Sequence, residues 1–194
     1  MRTPAATVVL IGCLLAAGCG GGGAGGTEVA EPSATPPSAS AAAPAATPPT
    51  SSARTRSLPA LLKFEAETLD GKSFTGANLA ERPVVFWFWA PWCPKCAAEG
   101  PAVAKVAEKY GDQVAFVGIA GLDKNKDAMR EFVDRTGTGG LTQLDDRDGT
   151  LYRHFKVIEQ TTYVFMSRGG KISRDTGPLS ESDLTAHVQR VAGA

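Results

Sequence analysis

Residues 84–101 read VVFWFWAPWCPKCAAEGP. Val84 to Ala90 is an unbroken apolar run bounded by Pro83 and Pro91. It is too short for an average helix and rich in β-branched and aromatic residues, which predicts a strand buried on both faces. A helix starting at Pro94 places Cys93 at its N-terminus, where free N–H groups and the helix dipole stabilise a thiolate. Cys93 is therefore the candidate attacking sulfur. Cys96 follows one turn further along the same face, within disulfide reach. For such a pair to react with another protein, the sulfurs must be close together and open to a neighbouring groove.

The chain has 194 residues, and its 20 lysines and arginines balance its 20 aspartates and glutamates. The length suits one domain with tails. Zero formal charge supplies no electrostatic case for nucleic acid or an anionic membrane surface, so no nucleic-acid partner is expected. The cysteines, Cys13, Cys19, Cys93 and Cys96, are too few and too unevenly placed for a disulfide-stapled mini-protein. One C-x-x-C cannot close a four-sulfur zinc site without a second pair or histidines at matching spacing, and no metal is expected.

Before the folded part, Met1 to Cys19 carries Arg2 as its only charge and an apolar stretch from Ala5 to Ala17. That is too short to span a bilayer comfortably and has the shape of an export signal over residues 1–18. Leu15-Ala16-Ala17-Gly18-Cys19 resembles a bacterial lipoprotein processing site, which implies lipidation of Cys19. Leu10-Ile11-Gly12-Cys13 fits the same pattern but leaves a very short apolar core ahead of it. Residues 19–57 are a glycine run followed by an Ala/Pro/Ser/Thr tract whose few large apolar groups could not offset the entropy of ordering it. This segment is expected to act as a tether.

Residues 58–194 form the expected domain. Phe64 to Thr68 and Ser73 to Thr75, joined through Asp70-Gly71, predict a leading hairpin. Val103, Val106, Ala107 and Tyr110 give the helix after the cysteines a buried stripe, with Pro101 expected to kink it and Gly111 to end it. Val114 to Ala120 predicts a second buried strand, parallel to the first across a βαβ unit. A helix over about 124–136 buries Met129, Phe132, Val133 and Thr136 and stops at Gly137. Asp145, Asp146, Asp148 and Gly149 mark a turn-rich stretch. Tyr163 to Met166 and Lys171 to Arg174 form an antiparallel hairpin. A last helix capped by Ser180, with Asp183 three residues on, buries Leu184, His187, Val188 and Val191. His154 and His187 are expected to be structural, as is Trp89.

Trp89-Ala90-Pro91-Trp92-Cys93-Pro94-Lys95-Cys96 at a strand-to-helix junction resembles the active site of the thioredoxin superfamily. The leading hairpin, Glu99 and Pro101 beyond the second cysteine, VAFVGIA and the terminal hairpin and helix are most similar to the extracytoplasmic branch that includes DsbE, ResA and TlpA, and to the secreted DsbE/DsbF-like proteins of actinobacteria. The resemblance covers about residues 58–192. It implies an α/β thioredoxin-like fold, a mixed sheet flanked by helices with an N-terminal hairpin extension, and thiol–disulfide exchange by Cys93 and Cys96 with no cofactor beyond their own disulfide. Trp92, Pro94, Lys95, Glu99 and Thr161 are the implied neighbours of the pair, with Lys95 expected to favour the Cys93 thiolate. The implied partners are thiols or disulfides of exported proteins and a membrane redox partner. The implied location is extracytoplasmic, anchored through the lipid on Cys19 or secreted without it.

Two positions depart from the family pattern. Cytoplasmic thioredoxins bury an acid where this chain has Trp87, so acid–base help must come from elsewhere. Glu99 is the nearest candidate; otherwise it is an exposed carboxylate of the first helical turn. The family's cis-proline position is Thr161, and a cis bond before a non-proline residue costs about 2.5–4 kcal/mol, so the Gln160–Thr161 bond is expected to be trans or strained. The threonine N–H and hydroxyl become available to bond a sulfur. The pair can serve disulfide formation, with export slightly favouring that direction, or reduction of apocytochrome thiols. Copper or other metal binding is the competing reading, opposed by the C-x-x-C spacing, since copper chaperones of this fold use C-x-x-x-C and a dedicated histidine. Peroxidase chemistry is opposed by the lack of a threonine and proline spaced before Cys93. A purely structural disulfide is opposed by the smallness of its ring.

Overall fold

The computed structural model describes residues 57–194. The expected signal segment, Cys19 and all of the tether but Ser57 lie outside the described residues.

The apolar run forms β3 (Val84–Trp89), buried along its whole length. Its alternating side chains feed two cores. Val85, Trp87 and Trp89 enter one with Val103, Val106, Phe132, Leu184 and Val188. Val84, Phe86 and Phe88 enter the other with Leu62, Leu151, Phe155 and Val164. Each such aromatic contributes about 1.5–3 kcal/mol by leaving water, which is why this strand tolerates no polar residue.

In chain order, β1 (Glu65–Thr68) and β2 (Ser73–Thr75) precede β3. Then come α1 (Pro94–Tyr110), β4 (Ala115–Gly121), α2 (Lys126–Thr136), β5 (Thr142–Asp146) and α3 (Thr150–His154). β6 (Thr162–Met166), β7 (Ile172–Thr176) and α4 (Glu181–Ala192) complete the described residues. The sheet order is β2-β1-β5-β4-β3-β6-β7. β3, β4 and β5 are parallel, and β1–β2, β1–β5, β3–β6 and β6–β7 are antiparallel. This is the mixed sheet and leading hairpin that the resemblance implies. α1, α2 and α4 contribute to the core containing Trp87 and Trp89, and α3 contributes to the opposite core.

Several local signals act as expected. The Asn125 side chain caps α2, and Gly137, at φ 70°, ends it in the left-handed conformation. Ser180 caps α4 through the Asp183 N–H. Gly111 does end α1, as expected, as its C-cap in the right-handed region at φ −57°. Two expectations need correction. The turn-rich stretch contains β5, whose Asp146 carboxylate accepts the N–H groups of Leu151 and Tyr152 at 2.8 and 2.9 Å and so starts α3. Val133 and His187 are half-buried rather than core, and the His187 imidazole stacks on Phe165 and pairs with Asp175 at 3.1 Å.

α1 and α2 approach closely at Gly100, where a methyl group would stand 2.6 Å from Thr136 Cβ. Thr136 cannot yield easily, because its hydroxyl bonds the Phe132 carbonyl at 2.7 Å and the Thr138 hydroxyl at 3.0 Å. Gly100→Ala is therefore expected to destabilise the fold by about 1–3 kcal/mol, overpacking outweighing the gain of about 1 kcal/mol in helix propensity. Urea unfolding of the variant checks this; an unchanged or higher midpoint contradicts it.

Candidate functional site

β3 ends at the edge of the sheet where the parallel strands finish, and a tight turn closed by the Cys93 N–H on the Ala90 carbonyl at 3.1 Å leads into α1. Cys93 is the N-cap of α1, extended at φ −82° and ψ 112°, with Pro94 starting the helix. Its sulfur accepts the Cys96 backbone N–H at 3.1 Å. The two cysteines, with Cα atoms 5.3 Å apart, are joined as a disulfide. In the reduced form the same N–H would meet a thiolate, a charge-assisted bond roughly twice as strong as a neutral one.

The expectation of an open sulfur is not met. Cys93 is 2% exposed and Cys96 0%, and both belong to the apolar cluster that contains Trp89. What access exists belongs to Cys93. A cleft of about 510 Å³ between the leading hairpin, α2 and β5 contains neither sulfur. Around the pair, Pro94 and Lys95 are exposed. Trp92 is 54% exposed, its indole N–H donating to the Leu122 carbonyl at 2.9 Å. Arg135 braces the turn from α2, donating to the Pro91 carbonyl at 2.6 Å.

Glu99 is not an exposed carboxylate of the first turn. It is 4% exposed, held by the Trp87 indole N–H at 2.7 Å and the Leu179 backbone N–H at 3.2 Å. Burial pushes its pKa up to about 7, against the opposing pull of Trp87, the nearby Tyr163 hydroxyl and Leu179. That hydroxyl is itself buried without a partner at hydrogen-bonding geometry. The residue at the position of the missing acid, Trp87, thus supplies a donor to an acid on α1 instead.

The pairing of Phe88 with Thr162 sets Thr161 against the end of β3. It is buried, with φ 59°. The left-handed region disfavours a β-branched residue, and such backbone costs on the order of 1–3 kcal/mol. Its N–H donates to the Phe88 carbonyl at 2.8 Å, and its carbonyl accepts from Gly177 at 3.0 Å. The N–H expected to be free for a sulfur is therefore already engaged. A proline here could not make that bond to Phe88.

Of these features, sequence reasoning missed the Trp87 and Leu179 donors to Glu99 and the Arg135 brace. Among the described residues no cluster of three or more His, Cys, Asp or Glu side chains forms a metal site. No described helix is long and apolar enough to cross a membrane.

The AhpC/TSA family model matches residues 59–175. Soluble secreted antigen MPT53 of Mycobacterium tuberculosis is 38% identical over 130 residues, which span 66% of this chain and 73% of that protein. The thioredoxin-like protein YneN of Bacillus subtilis is 30% identical over 125 residues, 62% of this chain and 72% of that one. Among solved structures, MTB dsbF in mixed oxidized and reduced forms is 43% identical with a TM-score of 0.66, covering 69% of this chain and 98% of that one. A secreted M. tuberculosis disulfide oxidoreductase, described as homologous to E. coli DsbE, is 37% identical with a TM-score of 0.63, covering 67% and 97%.

Proposed function

Because this chain belongs to the AhpC/TSA family and is a thioredoxin-like thiol–disulfide oxidoreductase of the DsbE/DsbF/ResA type, we propose that it works outside the cytoplasm, donating the Cys93–Cys96 disulfide to thiols of exported proteins. The carrying observation is the position of Cys93 at the α1 N-cap, bonded to a fully enclosed Cys96.

A client thiolate attacks the Cys93 sulfur, forming a mixed disulfide and expelling Cys96 as a thiolate. Cys96 takes a proton, and we assign the donor as Glu99, the buried carboxyl one turn along α1. A second client thiolate then attacks the client sulfur of the mixed disulfide. The client disulfide forms, Cys93 leaves as a thiolate, and two electrons have passed to the pair. The helix N-terminus and the Cys96 N–H stabilise that thiolate, which makes the oxidised pair a better oxidant. Lys95 adds positive charge beside it.

Lipidation of Cys19 and a tether over residues 19–57 would hold the domain of residues 58–194 at the outer face of the membrane. A membrane redox partner would there reoxidise the pair. The secreted relatives support this location.

Equilibration with glutathione tests the direction. The expected reduction potential lies above the value of about −270 mV typical of thioredoxin. A potential at or below that value removes the oxidant reading and leaves a reductase, such as one acting on cytochrome thiols.

A further inference from the structure

The turn that carries Cys93 is fastened from α2 as well as from its own helix. Arg135, in the last turn of α2, lies 44 residues beyond Pro91 in sequence, yet its guanidinium donates to the Pro91 carbonyl at 2.6 Å. The same guanidinium carbon sits 4.8 Å above the Phe132 ring. Phe132 in turn lies flat on Trp89, with centroids 4.2 Å apart and planes 12° apart. Trp89 is the last residue of β3, directly before Ala90 and Pro91. A stacked column of cation, phenyl ring and indole therefore ends on the same turn that the hydrogen bond grips.

This arrangement does two things that a surface arginine ordinarily does not. The flat contact with Phe132 fixes the plane of the guanidinium and reduces the freedom it must lose to make the bond. The bond then holds a unit positive charge two residues before the sulfur, at a partly buried carbonyl where screening by solvent is weaker than in bulk water. Other charged groups stand on the surrounding segments: Lys95 and Glu99 on α1, Asp134 beside Arg135, Asp123 and Lys124 beyond Leu122, and Glu159 before β6. Of these, Arg135 alone hydrogen-bonds the backbone of the turn among the described residues.

We propose that Arg135 is a positioning residue for the exchange reaction: by bracing the Pro91 carbonyl against the Phe132–Trp89 stack, it fixes the Cys93 turn and favours the Cys93 thiolate over the thiol. It touches neither reacting sulfur and acts through the turn. The inference rests on the reading of Cys93 as the attacking sulfur. By favouring the reduced, ionised pair it makes the disulfide more oxidising, in the same direction as the helix N-terminus.

The test uses the full chain carrying Cys13→Ser, Cys19→Ser and Cys96→Ser, so that Cys93 is the one remaining thiol, titrated by its thiolate ultraviolet absorbance. Adding Arg135→Met is expected to raise the Cys93 titration midpoint by about 0.5–1 pH unit, a fall of about three- to tenfold in thiolate fraction below the midpoint. Arg135→Lys, which keeps the charge and a donor, is expected to recover most of that loss. In the chain retaining Cys93 and Cys96, Arg135→Met should shift the glutathione equilibrium toward a less oxidising pair by a similar factor. An Arg135→Met protein whose titration and glutathione equilibrium match the parent overturns the proposal. A lowered thermal midpoint with both unchanged also overturns it, since it leaves Arg135 a strut of the fold. A parent Cys93 that titrates like an ordinary thiol counts instead against the reading of Cys93 itself, and the difference made by Arg135→Met is still measured.

Discussion

Cys96→Ser is expected to accumulate covalent complexes as its Cys93 thiolate attacks the disulfides of oxidised client proteins and expels one client sulfur, while Cys93→Ser forms none and loses exchange by about three orders of magnitude or more. The asymmetry follows from the geometry. Cys96 is fully enclosed beneath the first turn of α1, whereas Cys93 caps that turn and retains the pair's small residual accessibility. Only Cys93 can meet an incoming sulfur, and when a client disulfide has been captured on Cys93, Cys96 is the internal thiol placed to release it. Removing the second sulfur therefore leaves the mixed disulfide with no internal thiol to break it. Mass spectrometry of non-reduced extracts and recovery of a reduced client in a refolding assay check the two arms. Complexes formed equally by both variants would reverse or abolish the assigned roles.

The second large effect is a dependence on pH set by Glu99. In the unfolded chain its carboxyl titrates at the ordinary value of 4.5, and in the fold at about 7. Between those values the folded protein holds a proton that the unfolded chain has released. The contribution of this group to stability is thus complete below about pH 4.5 and is lost as pH rises through about 7. The change is on the order of 2–3 kcal/mol when the shift is discounted for residual solvent access. Glu99→Gln keeps an acceptor for Trp87 and cannot ionise, so its urea midpoint should stay nearly level from pH 5 to 8 while that of the parent falls. Loss of the proton donor should also slow the opening of the disulfide by client thiols about ten- to a hundredfold and remove the inflection near pH 7 from the rate profile. Parallel stability curves for parent and variant would show that the buried carboxyl does not titrate as described.

Much of the frame is legible because local signals agree with one another. VVFWFW can satisfy two cores only as a doubly buried strand, Cys93-Pro94 is a helix start in its own right, and Asn125, Gly137 and Ser180 punctuate helices by ordinary capping chemistry. β5 stays hidden because Thr142-Gln143-Leu144-Asp145-Asp146 has the composition of a turn. Its polar residues have partners that local sequence does not reveal: Gln143 receives the Trp89 indole at 3.0 Å, and Asp146 caps α3. The same limit applies to Glu99 and Arg135. Helical spacing puts Glu99 one turn beyond Cys96, but its burial depends on Trp87, Tyr163 and a loop residue, Leu179, 80 positions away. The closing over of Cys93 is likewise a property of the assembled loops. At Thr161 the sequence marks the departure from the family's proline but not the left-handed φ of 59° that the assembled loop imposes there.

The indole of Trp87 bonded to Glu99 has an optical consequence. The three tryptophans of the chain all fall between residues 87 and 92, so its tryptophan emission originates beside the redox pair, with no distant indole to dilute it. One indole is tied to the carboxyl, one is stacked on Phe132 and one lies on the rim. The protein thus carries a built-in, label-free gauge, whose intensity tracks sulfur oxidation and whose colour tracks the charge on Glu99.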